Sequence, residues 1–124
     1  MRVAHASTAE LGARAEELAC RHLRDKGLRV LARNYRCRHG EIDLVMDDGL
    51  KIVFVEVRLR RRPDFGSGAD SVGKVKQRRI LASAEHYLQR HATLDASCRF
   101  DVVSIDRRGD GHRLRWIRDA FGAD

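Results

Sequence analysis

The stretch Gly40-Glu41-Ile42-Asp43-Leu44-Val45-Met46-Asp47-Asp48-Gly49-Leu50-Lys51-Ile52-Val53-Phe54-Val55-Glu56-Val57-Arg58 decides how this chain is read. It is two β-branched, apolar runs separated by Asp47-Asp48-Gly49, a strong turn signal, so it predicts two antiparallel strands. Side chains alternate faces along a strand. A two-residue loop sets position 43 opposite 54, and a four-residue loop sets it opposite 56. Either register gives the same parity. Glu41, Asp43 and Val45 share a face with Ile52, Phe54, Glu56 and Arg58, and Ile42, Leu44, Met46, Val53, Val55 and Val57 take the other. Both faces carry bulky apolar residues, so both should be covered, as in an α/β layer fold. At one end the first face turns from apolar to charged, and there Glu41, Asp43, Glu56 and Arg58 gather.

The rest of the chain supplies the covering layers. Ser7 and Glu10 form a capping-box pattern ahead of a helix that runs to about Lys26, where Gly27 stops it. Leu11, Ala15, Leu18, Ala19, His22 and Leu23 fall on one side of that helix, with Gly12 among them, which would allow a close approach. Glu16 borders this arc, whereas Glu17 lies well outside it. Leu28 to Cys37 predicts a first strand. A loop over 60–73 holds the only proline and an arginine run, Arg60-Arg61-Arg62. A second helix is predicted over Ser71–His91, with Lys74, Lys76, Arg78 and Arg79 at its start. Cys98 to Asp106 predicts a further strand, and His112 to Ile117 a last one at the sheet edge.

Composition narrows the function classes. The 124 residues suit one domain spanning 1–124, and 43% hydrophobic residues suffice for a single core. Lys and Arg number 25 against 18 Asp and Glu, a net charge of +7. A small domain this basic favours polyanionic partners, nucleic acid foremost. A basic surface that only keeps the chain soluble is the plain alternative. The three cysteines are widely spaced, without a C-x-x-C pair, so neither a disulfide framework nor a zinc site is expected. No apolar run is long enough to span a membrane, and Met1 to Ser7 lacks the apolar core of a secretory signal. A cytoplasmic protein is expected.

Carboxylates converging at a sheet edge repel one another and are stable together only with a cation or a proton. Oxygen donors suit Mg²⁺ or Mn²⁺, which also bind phosphate. Arg58, two residues past Glu56 on the same face, can stabilise charge on a phosphate under attack. The arginine loop and Lys74, Lys76, Arg78 and Arg79 are candidates for phosphate contact.

Several motifs carry a resemblance that covers Gly12 to Phe121. They are Gly12-x₃-Glu16-x₂-Ala19, Asn34-Tyr35-Arg36, Gly40-Glu41-Ile42-Asp43, Val53-Phe54-Val55-Glu56-Val57-Arg58-x-Arg60, Phe65-Gly66, Lys76 with Arg79-Ile80, and Arg99-Phe100-Asp101-Val102-Val103. The chain resembles the YraN-like family of small bacterial proteins, placed in the restriction-endonuclease-like superfamily, the PD-(D/E)xK nucleases, and is similar in element order to archaeal Holliday-junction resolvases. The resemblance implies an αβββαβ core, with a mixed central sheet flanked by helices on both faces. It implies that Asp43 and Glu56 bind a metal, Mg²⁺ or Mn²⁺, and that Glu16 is the acid supplied by the first helix. Arg58 stands where the superfamily usually has lysine. Its guanidinium stays protonated, so it can clamp phosphate but cannot act as a base. The implied activity is metal-dependent cleavage of DNA, branched or recombining DNA included. The alternatives are a nucleic-acid-binding module that keeps the fold without the chemistry, and a protein-interaction adaptor whose acids form surface salt bridges.

Overall fold

The computed structural model describes residues 7–60, 72–91 and 96–122. Its elements follow the order α1 (Thr8–Asp25), β1 (Arg29–Cys37), β2 (Gly40–Asp47), β3 (Ile52–Arg60), α2 (Lys74–Arg90), β4 (Cys98–Arg108) and β5 (Gly111–Phe121). The αβββαβ order is as expected, with β5 added at the edge. Strands β4 and β5 run several residues further than the apolar pattern alone predicts, and α2 starts three residues later. Among the described residues no helix is long and apolar enough to cross a membrane.

The sheet order is β1-β2-β3-β4-β5. Strands β3 and β4 are parallel and the other neighbours antiparallel, so the sheet is mixed. The parallel pair needs a crossover, and α2 makes it. The β2–β3 connection is the four-residue one, with Asp47 opposite Ile52. Its conformation is set by two aspartates: Asp47 Oδ1 accepts the Gly49 amide at 2.8 Å, and Asp48 Oδ1 accepts the Leu50 amide at 2.8 Å.

Each face of the sheet carries one helix. On one side Ala15, Ala19, Cys20 and Leu23 of α1 pack on Leu44, Met46, Val53, Val55, Val103 and Ile105. On the other, Ile80, Ala84 and Tyr87 of α2 pack on Ile42, Val45, Phe54, Phe100 and Val102. Ser7 caps α1 by accepting the Glu10 amide at 3.1 Å, and Gly27 leaves the helix at φ +97°. Gly12 does not mediate a close approach, because a Cβ there would meet nothing within 4 Å. The helix touches the sheet through Ala15 and Ala19 instead. Gly40 is the tight spot. It combines φ +142° with a seat under α2, where a Cβ would lie 3.6 Å from Arg79 Cβ and from Ser83 Oγ.

One expectation fails in an informative way. Ile42 and Leu44 should share a face, yet Ile42 packs under α2 and Leu44 under α1. The alternation breaks once between them. In β1, Ala32 and Tyr35 both pack under α2, so alternation breaks there as well. Between the bridges Arg33↔Leu44 and Tyr35↔Ile42 lies the facing pair Asn34 and Asp43. Asn34 has φ +50°, a left-handed conformation that asparagine tolerates better than most residues. The two strands therefore change face together, at Asn34 and Asp43.

Candidate functional site

The β2–β3 ladder runs from Asp47↔Ile52 to Leu44↔Val55 and ends there. One step beyond its last bridge stand Asp43 and Glu56. Where the strands part, the Val57 amide donates to Asp43 Oδ2 at 2.8 Å. A side chain thus satisfies a backbone group that the ended ladder leaves over. Asp43 and Glu56 are only 7% and 6% exposed, so both carboxyls are essentially withdrawn from water. The two carboxyls are close enough to feel each other's charge. Burial, and then the neighbouring Glu56 charge, push the Asp43 carboxyl up to about 7, against the opposing pull of the Val57 amide.

Glu16 of α1 reaches the same place and touches Asp43. Its carboxyl is raised by burial and by Asp43, while a hydrogen bond from the Asn34 side chain works in the other direction. Glu16, Asp43 and Glu56 thus form a chain of contacts, as the helix arc anticipated. Glu41 stays exposed and pairs with Arg36 at 2.9 Å, so it borders the group without joining it.

The cation at this site comes from α2. Lys76 Nζ lies 2.8 Å from Glu56 Oε1. Arg58 is half-buried on β3 beside Ser104 of β4, and among the described residues it forms no ion pair with either acid. Lys74, Lys76 and Arg79 line a cleft of about 630 Å³, floored by Gly40 and Ile80 and adjoining Glu56. Arg78 is exposed on the same helix. Arg60 departs from its expected place on a phosphate-gripping loop. It ends β3 turned inward, 10% exposed, with Nε 3.9 Å from Asp106 Oδ1. A guanidinium so placed serves the sheet rather than the surface. Arg61 and Arg62 lie outside the described residues.

Can these residues hold a metal? Among the described residues no group of three or more His, Cys, Asp or Glu side chains is placed to hold a metal ion. A Mg²⁺-type ion asks for less, one or two carboxylates with water and phosphate completing its shell. Two converging buried carboxyls meet that demand chemically. The donor set fits a two-carboxylate site at Asp43 and Glu56, with Glu16 behind it.

Comparison with known proteins places the chain. The model of the uncharacterised protein family UPF0102 matches residues 15–105. The chain belongs to that family. It is the YraN-like family that the motifs resemble. A UPF0102 protein of Methylobacillus flagellatus is 52% identical over 114 residues, covering 92% of this chain and 98% of its own. A UPF0102 protein of Nitrosococcus oceani is 50% identical over 111 residues, covering 89% of this chain and 90% of its own. Among solved structures, Pyrococcus furiosus SfsA in complex with Ca²⁺ is similar at 13% identity and a TM-score of 0.39, with 86% of this chain and 62% of that one covered.

Three features of the family member in hand escaped the sequence. The Lys76–Glu56 pair joins residues 20 positions apart, and the sequence marked Lys76 only as one of several cations at the start of the second helix. The left-handed Asn34 has no periodic signature. Asp101, fully buried, accepts Arg99 Nε at 3.1 Å, Trp116 Nε1 at 2.9 Å and the Asp119 amide at 2.9 Å. It is a structural acid that ties β4 to β5.

Proposed function

We propose that this chain is a divalent-metal-dependent endonuclease acting on DNA, branched or recombining DNA included. One observation carries the reading: two buried carboxyls, Asp43 and Glu56, meet at the fork of β2 and β3, beside a cleft lined by lysine and arginine. Asp43 and Glu56 are the residues that would hold Mg²⁺ or Mn²⁺. When bound, such an ion supplies a Lewis acid that activates water and offsets charge on the scissile phosphate. Asp43 must be ionised for this role. Glu16 orients Asp43 from α1 and keeps the site acidic. Lys74, Lys76 and Arg79 hold the sugar-phosphate backbone in the cleft. Arg58 supplies a fixed positive charge to the phosphate and cannot act as a base.

The test is a cleavage assay of the purified chain on linear, branched and single-stranded DNA with Mn²⁺. Glu56→Ala is the control, expected to abolish cleavage. Absence of cutting on every substrate sinks the enzymatic reading. A second reading has its own support: Lys76 already neutralises Glu56, and Arg58 stands where a lysine would serve a nuclease. On that reading the chain binds nucleic acid without cutting it, and its affinity is salt-dependent and indifferent to metal.

A further inference from the structure

A carboxylate as buried as Glu56 cannot stay ionised in a protein interior without a compensating charge. Glu56 finds that charge in the ammonium of Lys76, 2.8 Å from Oε1. The two partners of this ion pair differ sharply in setting. The Glu56 side chain is 7% exposed and that of Lys76 58%. The carboxylate is fixed by the sheet, while the lysine leans in from the first turn of α2 on a flexible stem. Such a cation is held by charge rather than by packing and can leave without disturbing the core. It leaves into a cleft lined by Lys74, Arg79 and Glu41. Cations outnumber the acid there, and a phosphate in the cleft offsets the excess positive charge.

We propose that Lys76 is an exchangeable counter-ion: it holds a Glu56 oxygen until a divalent cation takes that oxygen, and then turns to a phosphate of the nucleic acid in the adjoining cleft. This rests on the metal-site reading above. Metal and DNA compete for nothing in this scheme. The metal displaces the ammonium, the ammonium joins the DNA contact, and each ligand strengthens the other. Arg58 is not an equivalent device, since it comes from the rigid β3 and touches neither acid among the described residues. A salt bridge that merely ties α2 to the sheet would instead contribute little and would leave both ligands uncoupled.

The full chain and its Lys76→Met variant are titrated with Mn²⁺ by calorimetry. The affinity of each for a labelled DNA duplex is measured by anisotropy, with and without Ca²⁺ as a metal that fills oxygen sites. Lys76→Met should bind Mn²⁺ about tenfold more tightly, because no ammonium has to be displaced, and should lose about tenfold of the metal-induced gain in duplex affinity. Lys76→Gln, with the same reach and no charge, should behave like Lys76→Met, which guards against a defect of one variant. Equal Mn²⁺ affinity in wild type and variants overturns the exchange while leaving the metal site standing. Tighter Mn²⁺ binding with an unchanged gain in duplex affinity also overturns it. Absence of Mn²⁺ binding in all three chains overturns both the exchange and the metal reading.

Discussion

Asp43 Oδ2 accepts the Val57 amide at 2.8 Å, one residue beyond Glu56 on the neighbouring strand. This bond closes the fork between β2 and β3 and locks the Asp43 carboxyl against that of Glu56. Fold and candidate chemistry meet in it, since the same oxygen atoms that finish the sheet form the acid pair.

The acid pair predicts an unusual pH dependence. Asp43 titrates near 7 in the fold against 3.8 unfolded, so it contributes stability that is full below about 3.8 and lost as pH rises through about 7. Glu16, also raised, acts in the same direction. Asp47 and Asp48 are held low, first by loop amides, so their contribution is lost only below the ordinary carboxylate range. In metal-free buffer the protein should therefore gain about 2–3 kcal/mol on going from about pH 7.5 to about pH 5. Denaturant melts across that window check this. Asp43→Asn should flatten the curve, and a wild-type protein that loses stability over the same range contradicts the assignment.

Asp101→Ala should destabilise the fold by about 2–4 kcal/mol, because it leaves the Trp116 indole and the Asp119 amide without an acceptor around an empty site and leaves Arg99 with Asp48 alone. Urea unfolding followed by the fluorescence of Trp116, the single tryptophan, reads both the loss and the local change. A cost under about 1 kcal/mol would show that β5 is held by other means.

Asn34→Val places a β-branched residue at φ +50°. The expected cost is about 1–3 kcal/mol. Asn34→Gly, which adopts that φ freely, should cost less. Urea unfolding of the two variants checks this, and equal losses in both would remove backbone strain from the explanation.

Lys74→Ala combined with Arg79→Ala should weaken DNA binding across all sequences and reduce the slope of log affinity against log salt by about 2. Both side chains are exposed, so folding should be untouched. An unchanged slope would move the DNA off this cleft.

Much of the fold was legible because its signals are local. Alternation over Glu41–Asp47 and the aspartate turn fixed the hairpin, and Ser7 and Gly27 fixed the ends of α1. The acids Glu16, Asp43 and Glu56 lie near one another, but parity does not account for it, because the pleat breaks at Asp43 itself. Parity failed at Ile42 because it assumes an unbroken pleat, and a single left-handed residue on the neighbouring strand turned it. Lys76 and Arg60 were legible only as charges. Which one points inward depends on where α2 and β4 lie in space, and no periodicity carries that. Asp101 was hidden for a similar reason, since its partners Trp116 and Asp119 come from a strand whose length the pattern understated.

The central claim is that Asp43 and Glu56 form one metal-binding acid pair. Calorimetric titration of Mn²⁺ into the wild-type chain and into Asp43→Asn tests it most directly. One ion should bind per wild-type chain, with release of the Asp43 proton near neutral pH, and Asp43→Asn should weaken binding by about tenfold or more. Binding of equal strength in the variant, or none in the wild type, would contradict the claim.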